Sequence, residues 1–255
     1  MTRLDHRFLT TPLAHRGLHD VAQGRPENSR AAIKAAINLG YGIEIDLQLS
    51  SDDVAMVFHD YGLNRLTEAS GPIRQKTAKD LTAIPLKGGS ETIPTLDEVL
   101  KLIDGQVPLL IELKDQDGQM GTDVGPLEKA AANLLNTYEG PLAVMSFNPN
   151  TVALLADLCP DIPRGIVTSA YDPESWAPLS RTVCEQLRDI PDYERSRASF
   201  ISHEVADLNR PRVAELKSHG ANILCWTVTS AAIEAKARKA AENITFEQYL
   251  AQHPA

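Results

Sequence analysis

The chain has 255 residues and 43% hydrophobic content, enough to bury one large core and close to the usual length of an eightfold α/β barrel. Its net charge of -9 argues against a nucleic-acid partner, because phosphate backbones are bound by basic surfaces. The N-terminus shows no apolar stretch typical of a signal peptide, and no later segment approaches the about 20 apolar residues that cross a bilayer. We therefore expect one domain over residues 1–255, located in the cytoplasm and without stable membrane insertion.

Apolar strand-like segments alternate with helical patterns along the chain, which is typical of a parallel sheet with crossover helices. The first strand ends at His15. After it, Asn28 or Ser29 is placed to cap a helix, and Gly40 is placed to end it. The second strand ends around Glu44 and Asp46. The order strand, helix, strand thus begins at the N-terminus.

The next predicted strand ends at His59, and the one after it ends at Glu112 to Lys114. Between them, Thr95 and Glu98 fit a capping box that opens a helix. Downstream, the pattern predicts strands over 142–147, 164–169, 200–203 and 222–228 and helices over 126–138, 150–158, 211–219 and 231–241. Residues 244–246 are predicted as a ninth or closing strand. Because eight strands are already counted without it, we expect one of the nine strand assignments to be wrong.

Residues 170–199 are the least regular segment, because Pro173, Pro178 and Pro191 interrupt any long helix there. We expect an excursion at the rim of the sheet. The other segments predict an α/β fold, a single (β/α)8 TIM barrel. Its active site is expected at the C-terminal rim of the strands, where strand ends and the following loops meet.

Glu44 and Asp46 are two residues apart in an apolar strand. Successive side chains of a strand point to opposite faces, so both carboxylates lie on one side, and Ile43, Ile45 and Leu47 lie on the other. Two neighbouring carboxylates repel each other unless a positive group lies between them. An oxygen-only pair suits Mg²⁺ or Ca²⁺ better than zinc. The pattern therefore indicates a site for a divalent cation, with a solvated strand edge or an ion pair to Arg16 or Lys114 as the alternative.

Three further apolar segments end in ionisable side chains. His15 ends the first, His59 the third, and Glu112 with Lys114 the fourth. Charged ends of buried strands are costly unless they share partners, water or a metal. We therefore expect these segments to be neighbours in space.

Several short motifs occur in an order that resembles the glycerophosphodiester phosphodiesterase family. The resemblance is dense from Leu13 to Lys114 and thinner afterwards, although Ser146-Phe147 and Trp226-Thr-Val228 look like later strand ends of that family. The motifs are His15-Arg-Gly17, Pro26-Glu-Asn-Ser29, Glu44-Ile-Asp46, His59-Asp60, Leu63-x-Arg65-x-Thr67, Ile93-Pro-Thr-Leu96 and Ile111-Glu-Leu-Lys114.

The resemblance implies a TIM barrel that hydrolyses glycerophosphodiesters to sn-glycerol 3-phosphate and an alcohol, with one divalent cation, Ca²⁺ or Mg²⁺. It implies that Glu44, Asp46 and Glu112 hold the metal. It also implies that His15 and His59 are the acid and base pair, that Arg16 and Lys114 contact phosphate, and that Glu27 is a further acid near metal and substrate. Lys114 is equally placed to be a structural partner of Glu112.

Two departures from the family pattern bear on substrate preference rather than on chemistry. Thr229 replaces the usual Asn after Val228, and Asn243-Ile-Thr-Phe-Glu247 replaces a Thr-Asp-Tyr-Pro-like ending. Trp226 and Phe147 are expected either in the core or as an apolar wall of the pocket.

The motifs leave alternatives open. A lysophospholipase D-type activity would cleave the same phosphodiester in lysophospholipids, and a catalytically silent barrel would only bind phosphorylated metabolites. The residues also leave open which histidine is the base, and whether water or a neighbouring glycerol hydroxyl attacks the phosphorus.

Overall fold

The computed structural model describes residues 2–253 and contains one nine-stranded sheet. The chain order of the strands is β1 Leu13–Ala14, β2 Gly42–Leu49, β3 Ala55–Val57, β4 Leu109–Leu113, β5 Leu142–Ser146, β6 Arg164–Thr168, β7 Phe200–Glu204, β8 Asn222–Val228 and β9 Asn243–Phe246. All strands except β3 are parallel, and β1 pairs with both β2 and β9. The sheet therefore closes into an eight-stranded barrel, which confirms the predicted fold.

The prediction that the strand ending at His59 belongs to the parallel barrel is wrong. Strand β3 pairs antiparallel with the C-terminal half of β2, where Leu47 is opposite Val57 and Leu49 is opposite Ala55. The connection between β2 and β3 is too short for a crossover helix, because a parallel return needs a dozen residues or more. The eighth barrel strand is instead β9, which the sequence had suggested only as a ninth or closing piece.

Nine α-helices lie within the described residues. They are α1 Arg7–Thr10, α2 Arg30–Asn38, α3 Ala78–Leu81, α4 Leu96–Ile103, α5 Pro126–Leu135, α6 Pro149–Leu158, α7 Arg181–Arg188, α8 Pro211–Ser218 and α9 Ala231–Ala237, and short 3₁₀ helices cover Val21–Gln23, Ile73–Gln75 and Val205–Asp207. No helix in residues 2–253 combines the length and apolar character that a membrane crossing requires.

Local signals at the helix ends agree with the sequence. Of the two candidate caps of α2, Ser29 is the one used, because its side chain accepts a hydrogen bond from the Ala32 amide. The predicted capping box of α4 is present, with Thr95 and Glu98 each accepting from the other's backbone. Asn28 does not cap the helix; its side chain instead donates a hydrogen bond to Asp46.

The core has two layers on either side of the strands. Ile43, Ile45 and Leu47 of β2 are buried in the layer between barrel and helices, as the alternation predicts. The barrel interior holds a smaller cluster that includes Leu110 and Phe200. Helix α1 adds Phe8 to this inner cluster, and its partners there are Leu4, Leu13, Ala143, Met145, Val167 and Leu224.

The N-terminal helix is fastened to the start of β9. The Asn243 side-chain amide donates hydrogen bonds to the carbonyls of Phe8 and Thr11, at 2.8 and 2.6 Å. Because Asn243 opens β9, these bonds hold α1 over the N-terminal end of the barrel. The C-terminal end of the strands carries the cavity described next.

Gly165 of β6 offers a test of the inner packing. A Cβ at this position would lie 2.3 Å from a ring carbon of buried Phe200. We expect Gly165→Ala to lower the free energy of unfolding by about 1–3 kcal/mol, because the ring has little room to move. Urea unfolding measures this change. Gly121→Ala, whose Cβ meets no atom within 4 Å, is the control; equal effects of the two substitutions would contradict the packing described here.

Candidate functional site

A cavity of about 440 Å³ opens at the C-terminal ends of the barrel strands. Its lining includes His15, Glu44, His59, Glu112 and Lys114, which lie far apart in sequence. The structure thus brings together the ionisable strand ends that the sequence placed in separate segments. In a barrel of parallel strands this rim is where catalytic groups meet.

Glu44, Asp46 and Glu112 form a buried cluster in which one oxygen of each lies within 4.8 Å of the others. Asp46 of β2 is the register partner of Glu112 on β4. Burial, together with Asp46 and Glu112, raises the pKa of Glu44 well above its ordinary value. The Oε1 atom of Glu44 is buried without a hydrogen-bond partner. Three oxygen donors, one of them unpartnered, fit a hard divalent cation.

Two basic side chains offset part of this negative charge. The Lys114 ammonium lies 2.7 Å from Asp46 Oδ1 and 2.6 Å from Glu112 Oε1. The Arg16 amide donates to Glu44 Oε2 at 3.0 Å, and Arg16 Nε lies 3.4 Å from Asp46 Oδ2. Although burial opposes it, Lys114 holds the pKa of Asp46 far below its usual range. Lys114 is therefore an ion-pair partner of both acids, which is compatible with a phosphate contact.

His15, which follows β1, is held by an acid from the other end of the chain. Its Nδ1 lies 2.7 Å from Oε2 of Glu247, the residue after β9. Because an ionised carboxylate only accepts hydrogen bonds, Nδ1 donates, and Nε2 is directed toward Glu44 Oε2 at 4.0 Å. Burial lowers the pKa of His15, while the bond to Glu247 opposes that effect. Hydrogen bonds from His15 and His19 lower the pKa of Glu247.

His59 reaches the cavity because β3 runs back along β2. The Phe58 amide donates to the Asp46 carbonyl, so the next residue lies beside the carboxylate cluster. His59 Nδ1 lies 2.7 Å from Asp60 Oδ1, and the Gln48 side chain donates to the His59 carbonyl at 3.0 Å. Both histidines thus have a carboxylate at Nδ1, which fixes the ring orientation and leaves Nε2 for the cavity.

Glu27 lies outside the cavity lining, between two arginines. Arg16 Nη1 donates to Glu27 Oε1 at 2.8 Å, and Arg65 Nη1 donates to Glu27 Oε2 at 2.8 Å. Arg65 also donates to Asp60, at 2.6 Å from Nε to Oδ2. Despite burial, these arginines lower the pKa of Glu27. The structure therefore places Glu27 behind Arg16, and its predicted role near metal and substrate stays a prediction.

Asn28 and Glu247 are among the polar residues of the site that were outside the predicted set. Asn28, at a φ of 57°, donates through Nδ2 to Asp46 Oδ2 at 2.9 Å and accepts from the Asp46 amide at 3.3 Å. The motif at residues 26–29, which contains Asn28, was the sequence feature that could have identified it. Glu247 follows the apolar strand β9, as Glu112 ends an apolar segment, and that pattern was its signal.

Aromatic side chains form the apolar part of the cavity lining. Phe147 follows β5 and packs edge-on against Trp226 of β8, with ring centroids 5.4 Å apart. Trp176, from the irregular segment 170–199, lies 5.0 Å from Phe147 by the same measure. All three line the cavity, in agreement with the apolar-wall alternative for Phe147 and Trp226. The sequence did not predict that Trp176 lines the cavity, because its segment has no periodic pattern.

The ion pairs of Lys114 allow a stability test. We expect Lys114→Met, in the presence of EDTA, to lower the free energy of unfolding by about 3–5 kcal/mol, because the buried carboxylates of Asp46 and Glu112 lose the ammonium that pairs with both. Adding Ca²⁺ should recover part of the loss. Urea unfolding with and without the ion measures both effects.

Lys101→Met is the matched control, since Lys101 is 74% exposed and, among residues 2–253, pairs only with Asp97. Its effect should stay below about 1 kcal/mol. A Lys114 variant no less stable than this control would contradict the proposed charge balance.

Comparison with known proteins identifies the family. The sequence model of the Glycerophosphoryl diester phosphodiesterase family matches residues 15–245. YhdW of Bacillus subtilis, provisionally named a glycerophosphodiester phosphodiesterase, is 32% identical over 235 residues and 88% of each chain. A glycerophosphodiester phosphodiesterase of Caldanaerobacter subterraneus is 29% identical over 229 residues and 86% of each chain.

The structure of an Oleispira antarctica phosphodiesterase in complex with the product sn-glycerol-3-phosphate is also similar. It superposes with a TM-score of 0.77 at 26% identity, over 96% of this chain and 95% of that chain. These findings confirm the resemblance seen in the motifs. The chain belongs to the glycerophosphoryl diester phosphodiesterase family and is a hydrolase.

Proposed function

We propose that the protein hydrolyses glycerophosphodiesters to sn-glycerol 3-phosphate and an alcohol, using one divalent cation and a histidine pair. The observation that carries the proposal is a cluster of three buried carboxylates at one cavity, which Glu44 and Glu112 line together with two carboxylate-held histidines. The product bound in the similar Oleispira antarctica phosphodiesterase supports the same substrate class.

In this proposal Glu44, Asp46 and Glu112 hold Ca²⁺ or Mg²⁺. The unpartnered Glu44 Oε1 and the oxygen-only donor set support this assignment. When bound, the cation supplies positive charge to a non-bridging phosphate oxygen and to the charge that develops during cleavage.

Arg16 and Lys114 contact the remaining phosphate oxygens. Both line the cavity, and both are held by acids that fix their position. A guanidinium suits a two-point grip on phosphate, whereas an ammonium acts as a point charge. Neutralising the diester matters because its negative charge repels an incoming nucleophile.

His15 and His59 transfer the protons. With Nδ1 hydrogen-bonded to Glu247 or Asp60, each ring exchanges its proton at Nε2. One histidine removes a proton from the attacking hydroxyl, and the other donates a proton to the departing alcohol. The same pair serves attack by water and attack by a neighbouring glycerol hydroxyl, with the roles exchanged when a cyclic phosphate is opened.

The cavity favours small substrates over lysophospholipids. Its volume of about 440 Å³ suits a glycerophosphodiester, and its apolar surface lies within the lining, at Phe147, Trp176 and Trp226. Among the large hydrophobic side chains exposed in residues 2–253, only Tyr61 lines this cavity. A lysophospholipase D-type activity would use a wider apolar rim for the acyl chain. A silent binding barrel would have no use for two oriented histidines.

A metal-resolved substrate panel tests the proposal. We expect release of sn-glycerol 3-phosphate from glycerophosphocholine to stop in EDTA and to return with Ca²⁺ or Mg²⁺. The three carboxylates are negatively charged, so the bound cation is needed to neutralise the diester. Lysophosphatidylcholine should be a poorer substrate. Faster cleavage of the lysophospholipid would favour the alternative activity, and substrate binding without product under every metal condition would favour the silent barrel.

Substitutions separate the two kinds of residue. We expect His59→Ala to lower kcat by about 10²–10⁴-fold while cation binding is retained, because the imidazole transfers a proton. Glu44→Gln should lose both turnover and cation binding. Steady-state kinetics and calorimetric cation titration measure these effects, with His219→Ala at an exposed position as the control. A His59 variant with most of its activity would refute the role given to that residue.

A further inference from the structure

A second group of side chains with atoms that can ligate a metal lies beside the carboxylate cluster. It consists of His15, His19 and Glu247, whose ligand atoms all lie within 4.8 Å of one another. Glu247 Oε2 is 2.7 Å from His15 Nδ1 and 3.4 Å from His19 Nε2. The three side chains are 14%, 22% and 20% exposed, so they are neither sealed in the core nor free on the surface.

The donors differ in kind from those of the carboxylate cluster. Two imidazole nitrogens and one carboxylate oxygen are a ligand set that zinc uses, with a water as the fourth ligand. Zinc bonds of about 2.0–2.2 Å in a tetrahedron separate neighbouring ligand atoms by about 3.4 Å. The contact of 3.4 Å between His19 and Glu247 equals this value, and the contact of 2.7 Å between His15 and Glu247 is shorter. Ca²⁺ and Mg²⁺, by contrast, prefer oxygen ligands.

The group is reachable without passing through the substrate cavity. His19 lines a second cavity of about 710 Å³ on the flank of the barrel, together with Asp20, Gln248 and Tyr249. His15 lines the first cavity at the rim. An ion that enters from the second cavity therefore meets His19 first.

We propose that His15, His19 and Glu247 form a zinc site through which zinc inhibits the enzyme. The inhibition rests on the proposed function of His15. Zinc bound at Nδ1 would use the lone pair of that nitrogen, so the single proton of the neutral ring, which Nδ1 otherwise donates to Glu247, would move to Nε2. The hydrogen bond to Glu247 is lost. Nε2 can then no longer accept a proton, and the proton-transfer cycle of His15 stops.

Replacing His19 tests the site, because His19 contacts Glu247 but does not line the substrate cavity. Wild type and His19→Gln, both saturated with Ca²⁺ or Mg²⁺, are titrated with zinc. Bound zinc is measured by competition with a chromophoric chelator, and Co²⁺ is used in parallel because a tetrahedral nitrogen-containing site gives it a visible absorption band. Residual phosphodiesterase activity is followed in the same samples.

We expect wild type to bind one more zinc ion per chain than His19→Gln and to be inhibited at zinc concentrations about 10- to 100-fold lower. Activity without zinc should be alike in the two proteins. His219→Gln, which removes an exposed histidine elsewhere, should behave as wild type. Unfolding midpoints of all three confirm that they are folded.

Each other outcome has its own meaning. Equal zinc binding by wild type and His19→Gln would overturn the site. Extra zinc in wild type with no difference in inhibition would overturn the inhibitory role alone. A chain that cleaves no phosphodiester but still loses the extra zinc on His19→Gln would overturn the proposed function while supporting the site.

Discussion

Repulsion among three buried carboxylates is the constraint on which the site depends. Glu44, Asp46 and Glu112 lie on neighbouring strands, and all three are buried. Burying such charges is costly unless cations and hydrogen bonds compensate them. Lys114 and Arg16 provide part of this compensation, and the proposed divalent cation provides the rest. The strand alternation that puts Ile45 in the outer core is the same feature that turns Glu44 and Asp46 inward.

A second group of acids surrounds the basic residues of the site. Glu27 holds Arg16 and Arg65, and Asp60 holds Arg65 and His59. Charges therefore alternate from the cavity outward, and Arg16 and His59 each have an acid behind them as a fixed partner. Such outer partners orient a side chain and reduce the cost of ordering it when substrate binds.

Much of this arrangement follows from local sequence pattern. The alternation around Glu44 predicted which face of β2 is polar, and Thr95 with Glu98 predicted the start of α4. The direction of β3 did not follow, because an apolar segment ending at His59 has the same period in a parallel and in an antiparallel strand. The short connection after Leu49 was the better signal. Glu247 and Trp176 were missed for different reasons: one contacts a residue 232 positions away, and the other lies in a segment without periodicity.

Barrel closure is itself part of the chemistry. Strand β1 has only two residues, yet it pairs with both β2 and β9. His15, the next residue, therefore lies between the first and last parts of the barrel, with Nε2 4.0 Å from Glu44 and Nδ1 2.7 Å from Glu247. The imidazole of His15 thus belongs to the nitrogen-containing group of candidate ligands and lies next to the oxygen-only group. Because the two ring nitrogens share a single π system, a ligand or proton at Nδ1 changes what Nε2 can do toward the substrate. The closing contact between β1 and β9 thus sets the reactivity of a residue in the cavity, which links the fold directly to the proposed mechanism.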